Sequence, residues 1–574
     1  MALNLFSRSI IRERSWSWLV DVLVFLIVAA CIYGVLNVAH YWFGTVAPAA
    51  RISQSPRALP RYAFYSLVRM GIAYVLSLIF AIGYGYIAAY NRRLEGIMLA
   101  LLDILQSIPV LSFLPGVMLA MVALIPARQL GVELGSIILI FTGQVWNIAF
   151  SFYSSLKSIP RELHEAASIY RFSRWQRFIE LELPFGVIGL IWNSIVSVAV
   201  GWFFLMACEM FVLKNHDFRL PGLGSYLQTA ANNGDTASIL WGLGAMIAVI
   251  VLLDQLFWRP AIAWSDRFKF EQVERSSAPS SPILHLFRHS SAFRWLSKHA
   301  FAPAWERLTS NASVSKPVEP HTPSRIAPLV GWAATVIAIL LALYALFEAV
   351  LVLRGITAAE VIETCKAAAA TFVRVMAALA IASLWTIPAG VAIGFNPKLA
   401  RIAQPVAQVV ASIPATALLP VVLLFLVRLG GGLSVAAVAL MLLGTMWYIL
   451  FNVIAGAMAI PGELREAAAV FRFRDVQQWR TLILPGIFPY LITGLITASG
   501  GAWNASIVAE YCHFQGKTLT TLGLGAQISS ATDSGNFQVL LVSTMVMALL
   551  VVSINRLVWR PLYRLAETRF RLET

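Results

Sequence analysis

The chain has 574 residues, 59% of them hydrophobic and only 12% charged, with a formal net charge of +15 and a mean hydropathy of +0.75. That is more apolar than a water-soluble core requires and excludes a soluble globular protein. The basic excess does not mark a nucleic-acid binder either, because no basic soluble segment carries aromatic stacking positions.

Crossing a hydrocarbon layer takes roughly 20 apolar residues. The first such run, near 19–43, follows Arg8, Arg12 and Arg14. It is too long for a signal peptide and further spans follow, so it is read as a retained anchor. Spans are expected next near 62–90, 97–125, 133–156, 184–211 and 236–258. A second set lies near 327–353, 367–394, 400–427, 433–458, 484–509 and 538–560. Six is an even number, so each half returns the chain to its starting side and the repeats run parallel. The expected fold is an all-α integral membrane protein with twelve transmembrane helices, arranged as two six-helix repeats with pseudo-two-fold symmetry. The expected division is a first repeat over 1–260, a cytoplasmic linker over 261–325 and a second repeat over 326–574. The linker is rich in Ser, Pro and basic residues, and its stretch 283–308 has the mixture of an amphipathic surface helix as well as of a disordered segment.

The repeat is explicit in one loop per half. Residues 159–184 read IPRELHEAASIYRFSRWQRFIELELP and residues 460–485 read IPGELREAAAVFRFRDVQQWRTLILP, with 13 of 26 positions identical. The correspondence continues outside the loops. Arg69 answers Arg374 and Ser-Ile-Pro109 answers Ser-Ile-Pro414 at an offset of 305. Trp202 answers Trp503, Glu209 answers Glu510 and Gly222-Leu223-Gly224 answers Gly523-Leu524-Gly525 at an offset of 301. Of 43 Lys and Arg residues, 30 fall in the termini, the linker and the loops after spans 2 and 4 of each half, against ten in the opposite loops. The positive-inside rule then places both termini, the linker and both repeated loops in the cytoplasm.

Pro160 and Pro461 suit the first turn of a helix, where the missing N–H costs nothing. Glu162, Glu165, Ala166 and Ala167, and their equivalents Glu463, Glu466, Ala467 and Ala468, continue at helical spacing. Small alanines admit another protein closely, glutamates meet cations, and Phe172, Trp175 and Phe178 fill pockets, so the loop reads as a docking knob. The alternative for a single copy is a solvated interfacial helix; the duplication favours docking. No P-loop, GxSxG or HExxH motif occurs, and the four cysteines form no CxxC pair, so neither nucleotide or ester hydrolysis nor a metal site is expected.

The run from Glu165-Ala166-Ala167 to Leu181-x-Leu183-Pro184, and from Glu466-Ala467-Ala468 to Leu482-x-Leu484-Pro485, resembles the signature loop of permease subunits of binding-protein-dependent ABC importers. The family's usual glycine is Arg171 in one copy and Arg472 in the other, which implies a turn that does not depend on a left-handed glycine. The Arg of span 2, the Ser-Ile-Pro of span 3 and the Glu before Gly-Leu-Gly are similar to nitrate-, sulfonate- and taurine-type permeases. The fusion of two units resembles the duplicated permease component of anion-type importers. The resemblance implies a bacterial-type inner membrane, an external solute-binding protein, and two cytoplasmic ATPase subunits that carry ATP and Mg. This chain itself would bind no cofactor and catalyse no reaction. The ATPase-coupling residues would be Glu162, Glu165, Ala166, Ala167, Arg171, Phe172, Glu463, Glu466, Ala467, Ala468, Arg472 and Phe473.

The path for a small anionic solute would run between the halves. Candidate lining residues are Ser107, Pro109, Ser412 and Pro414, which interrupt span 3 and free N–H groups for an anion, with Trp202, Trp503, Glu209 and Glu510. The two glutamates are expected near the external end of span 5, placed to gate the path or meet the binding protein. Arg69 and Arg374 are expected to snorkel to the outer surface. Two other classes compete. An ion-coupled secondary transporter shares the topology but has no reason to match its two loops after span 4, and a membrane scaffold has none either.

Overall fold

The computed structural model describes residues 52–265 and 354–569, apart from residues 93, 108, 126–128, 214, 215, 218, 429–431 and 474, together with residues 268, 347 and 351. The expected spans near 19–43 and 327–353 and most of the expected linker, with its 283–308 stretch, therefore lie outside the described residues.

The first half builds α1 (Leu59–Tyr90), α2 (Glu95–Ser107), α3 (Leu114–Leu124), α4 (Gln129–Lys157), α5 (Arg161–Ile169), α6 (Arg174–Arg177), α7 (Leu183–Glu209), α8 (Leu223–Asn233), α9 (Thr236–Leu253) and α10 (Arg259–Ser265). The second repeats that order as α11 (Ala358–Phe395), α12 (Pro397–Ala411), α13 (Ala415–Arg428), α14 (Leu433–Ala459), α15 (Gly462–Val470), α16 (Asp475–Gln478), α17 (Leu484–Ala509), α18 (Leu524–Ser534), α19 (Phe537–Ile554) and α20 (Arg560–Arg569). Even the irregularities match. π turns occupy Phe178–Glu182 and Trp479–Ile483, then Asp254–Trp258 and Asn555–Trp559, and α8 and α18 both end on a left-handed glycine, Gly234 and Gly535, at φ +66°. Eight helices among the described residues are long and apolar enough to cross a membrane.

Span 3 of each half, expected over 97–125 and 400–427, is broken where its Ser-Ile-Pro was expected to interrupt it. In the first half α2 stops at Ser107, and a 3-10 turn over Val110–Phe113 precedes α3. In the second, the two pieces around Pro414 are bent by 86°. A proline removes a ladder donor and its ring clashes with the preceding turn, which favours a break here, although α11 carries Pro388 in its interior. Pro184 and Pro485 have no such effect, because they sit at the start of α7 and α17 where the π turn has already shifted the ladder.

Within each half the span-4 helix is central: α4 packs on α1 and α7, and α14 on α11 and α17. Small residues permit the close approach, as in membrane bundles generally. Phe152 of α4 is fully buried between Gly85 of α1 and Gly186 of α7, and a Cβ on Gly186 would lie 2.7 Å from its ring. One apolar core runs through both halves, from Leu111, Met118 and Phe204 to Leu423, Ile507 and Phe514. Two elements had no signal in the apolar pattern: the short helices α8 and α18, and the antiparallel hairpins β1 (Val212–Leu213) with β2 (His216–Asp217) and β3 (Tyr511–Phe514) with β4 (Lys517–Thr520). The linker boundary also moves, since residues 261–265 continue α10.

Candidate functional site

Each signature loop folds as a short helix, a tight turn and a second helix that runs into span 5. α5 and α15 start after Pro160 and Pro461 and bury one residue each, Ala167 and Ala468, against the body. Glu162, Glu165, Glu463, Glu466 and Ala467 face solvent, and Ala166 is half-buried. The tips are apolar and open: Ile169 is 79% and Tyr170 75% exposed, and Val470 and Phe471 match them at 78% and 72%.

The turn forms without a glycine, as the sequence allowed. Arg171 and Arg472 adopt φ of +52° and +55°, so the left-handed turn survives the loss of its glycine. Both arginines donate N–H to the carbonyls of Ser168 and Ala469, and Phe172 and Phe473 donate to those of Ala167 and Ala468. This is the Schellman pattern, which ends a helix by satisfying its last carbonyls. A side chain in that region costs about 1–2 kcal/mol. Arg171→Gly with Arg472→Gly is therefore expected to raise the thermal unfolding midpoint of the purified chain, by about 1 kcal/mol per site, and a lowered midpoint contradicts the backbone assignment. In the first loop Ser173 then caps α6 in a reciprocal box with Gln176, the two hydrogen bonds being 2.9 and 3.1 Å.

The two loops are anchored by different chemistry. Glu182 is buried in its π turn, where it accepts hydrogen bonds from Tyr90 Oη and Arg177 Nε, both at 2.7 Å. The Arg177 guanidinium also lies 5.1 Å from the centre of the Tyr90 ring. In the second half these positions are Phe395, Gln478 and Ile483, and Arg465 lies 5.3 Å from the Phe395 ring instead. Sequence reasoning missed both anchors, because each joins a loop to the end of a helix more than 60 residues away.

The second constellation lies at the far ends of spans 2, 4 and 5. Arg69 is fully buried and does not snorkel. It grips both oxygens of buried Glu133 and donates at 2.7 Å to Glu209 Oε1 and at 2.9 Å to the Pro221 carbonyl. Glu209 also accepts from Ser66 Oγ at 2.6 Å and from the Gly224 N–H at 2.7 Å, at the start of α8. Helix N-termini favour such a carboxylate. The second half repeats the scheme, with Arg374, Thr371 and the Gly525 N–H on Glu510, but Ser434 stands where the first half has Glu133. Arg374, at 12% side-chain exposure, is also largely withdrawn from solvent. Both arginines stay inside because several carboxylate, carbonyl and hydroxyl partners there replace the water they give up. The repeated Gly-Leu-Gly has a steric cause as well: a Cβ on Gly222 or Gly523 would collide with the carboxylate of Glu209 or Glu510. Glu209 and Glu510 do end span 5, yet the structure turns both carboxylates inward.

A third feature lies between the halves. A cavity of about 160 Å³ is lined from the first half by Leu111, Leu114, Met210, Phe211 and Gln228, and from the second by Leu419, Val508, Tyr511, Cys512 and Asp533, among others. The residues that follow Pro109 and Pro414 reach it, while Pro109, Ser412 and Pro414 are not on its wall. Trp202 and Trp503 are buried in helix packing and do not line it. Among the described residues no group of three or more His, Cys, Asp or Glu is placed to hold a metal.

Set beside known proteins, the chain matches the model of the binding-protein-dependent transport system inner membrane component over residues 81–257 and again over 386–571. The chain belongs to that family. This inner membrane component is 27% identical over 185 residues to the nitrate import permease protein of Synechocystis sp., an overlap of 32% of this chain and 62% of the relative. It is 29% identical to the taurine transport system permease protein of Escherichia coli (32% and 62% of the two chains). It is 30% identical to the bicarbonate transport system permease protein of Synechococcus elongatus (25% and 49%). The inner membrane component thus spans less than two thirds of each of these relatives. Its two family matches reproduce the two-repeat layout of the fold.

Proposed function

We propose that the chain forms the path of an ABC importer for a small solute with an acidic group, and that its two signature loops couple that path to a pair of cytoplasmic ATPase subunits. The observation that carries this reading is the pair of equivalent knobs: each ends in a left-handed Schellman turn, with two exposed acidic side chains on the helix and an open apolar pair at the tip. A knob of this kind fits a cleft with an apolar floor and cationic rim. ATP with Mg on the partner subunits would close the ATPase pair, draw the knobs together and rock the halves about their shared core. The free energy comes from the preference of ATP for the closed pair, since a ligand shifts a conformational equilibrium only by its differential affinity.

An external binding protein would deliver solute to the opposite face, and both termini and the linker would lie in the cytoplasm with the loops. The acidic solute is suggested by the nitrate, taurine and bicarbonate named for the relatives. The buried Arg–Glu clamps are assigned a structural role, fixing α8 and α18 to the ends of spans 2 and 5. Reconstitution tests the reading. Proteoliposomes holding the chain with its co-isolated ATPase are expected to accumulate solute only with ATP and Mg on the ATPase side. Uptake by the chain alone on an ion gradient would establish the secondary-transporter alternative instead.

A further inference from the structure

We propose that the cavity between the halves is a selectivity chamber for an organic solute with an apolar body and a hydrogen-bond-donating head, an ammonium or a hydroxyl, and that it does not retain a small inorganic oxyanion. The proposal rests on the import reading above and narrows its solute.

Position comes first. The lining residues fall into pairs at the repeat offsets: Leu114 with Leu419, Ala207 with Val508, Met210 with Tyr511, Phe211 with Cys512 and Gln228 with Ser529. A cavity built from equivalent positions of both halves straddles the pseudo-two-fold axis, where a path between the halves has to pass. Its volume of about 160 Å³ compares with the roughly 150 Å³ that accepts a benzene ring.

The wall is asymmetric despite the pairing. The first half supplies Leu111, Leu114, Met210 and Phe211, an apolar bed for a ring or short chain. The second half supplies Tyr511, His513, Ser529, Thr532 and Asp533, and at the positions equivalent to Tyr511, His513 and Asp533 the first half has Met210, Val212 and Asn232.

The hydrogen-bond inventory then sets the chemistry of the head. Tyr511 Oη donates to Asp533 Oδ2 at 2.5 Å; burial, and then Asp533 itself, hold that phenol above its usual pKa, so it keeps its proton. His513 uses Nε2 on Asp533 Oδ2 at 3.2 Å and Nδ1 on Thr518 at 3.0 Å. Ser529 Oγ and Thr532 Oγ1 give their protons to the carbonyls of Ile507 and Ile528. Gln228 Nε2 donates to the His513 carbonyl and to Asn232 Oδ1. No Lys or Arg among the described residues lines the cavity. The side-chain donors are therefore committed, with the weak Cys512 thiol as the exception, while acceptor capacity remains on the two hydroxyl oxygens and on Asp533 Oδ1, which takes no hydrogen bond among the described residues. An oxyanion needs donors and meets an acidic, acceptor-rich wall, so desolvating it there is unfavourable. A donor head meets an open carboxylate oxygen. An acidic group elsewhere on the same solute would point out of the chamber.

The test uses the purified full chain in detergent, titrated with benzylamine, benzyl alcohol, benzoate and nitrate as probes, with the thermal unfolding midpoint as the readout. Benzylamine is expected to stabilise saturably, benzyl alcohol more weakly, and benzoate and nitrate not at all. Asp533→Asn is expected to weaken benzylamine binding at least tenfold, with the unliganded midpoint of the variant as the reference for the ligand-induced shift. Tyr511→Phe, which returns acceptor capacity to Asp533, is expected to tighten it, and Leu114→Trp, which fills the chamber, to abolish it. Nitrate or benzoate binding as tightly as benzylamine, no saturable probe at all, or indifference to Asp533→Asn together with Tyr511→Phe would overturn the proposal. The double variant Glu165→Lys, Glu466→Lys should bind benzylamine normally, so loss of ATPase coupling and loss of the chamber are separable.

Discussion

Replacing Glu165 and Glu466 together by lysine is expected to abolish ATP-dependent uptake and to release the proposed ATPase subunits, while the chain remains folded. The folding half of this expectation follows from exposure: both carboxylates face solvent on α5 and α15, and no ion pair engages either among the described residues. Surface changes away from partners usually shift stability by no more than about 0.5 kcal/mol. The coupling half follows from the interface. Losing one charge of a desolvated pair costs about 2–5 kcal/mol, and reversal adds repulsion. Because both knobs belong to one chain, the proposed attachment would be bivalent, and each bound knob would raise the effective concentration of the other. Either single variant therefore weakens attachment and slows uptake, whereas the double variant loses both grips. Co-isolation of the ATPase, uptake into proteoliposomes and the unfolding midpoint measure the three parts. Normal uptake by the double variant would remove the coupling assignment.

The largest effect on stability is expected at Arg69. Arg69→Met leaves Glu133 and Glu209, both fully buried, with Ser66 Oγ and the Gly224 N–H the donors remaining to Glu209 among the described residues. Removing one partner of a buried ion pair costs about 3–5 kcal/mol, and here two carboxylates are stranded. Arg374→Met is milder, since it strands one carboxylate, leaves Thr371 and the Gly525 N–H donating to it, and removes a guanidinium that is partly solvated. Glu133→Ser copies the arrangement that the second half already uses and should fall well below Arg69→Met in cost. Denaturant or thermal unfolding of the purified variants ranks the three. Equal losses at Arg69 and Arg374 would show that the extra carboxylate does not matter.

The candidate sites were unequally legible. The knobs were readable because their information is local: helical spacing, an initial proline and a duplicated register lie within 26 residues. Their backbone was only half readable. Arg171 and Arg472 implied a turn that does not depend on a left-handed glycine, and only the structure shows that the turn stays left-handed, closed by two carbonyl-capping bonds. The arginines of span 2 failed for another reason. A charged residue near a membrane boundary looks alike whether it reaches for water or for a carboxylate, and the carboxylates that decide it lie 64, 140 and 136 positions away in the sequence.

By itself, the sequence determined the class of the protein, the two-fold duplication, the breaks at Pro109 and Pro414 and the place of the paired loops. Each of these is written in composition, periodicity or local backbone chemistry. Only the tertiary structure decided that Arg69 closes on Glu133 and Glu209, that Glu182 ties one loop to Tyr90, and that an acceptor-rich chamber forms where the halves meet. Apolar periodicity reports that a face is buried but not against what, and a cavity on a pseudo-two-fold axis exists only once both halves are packed around it.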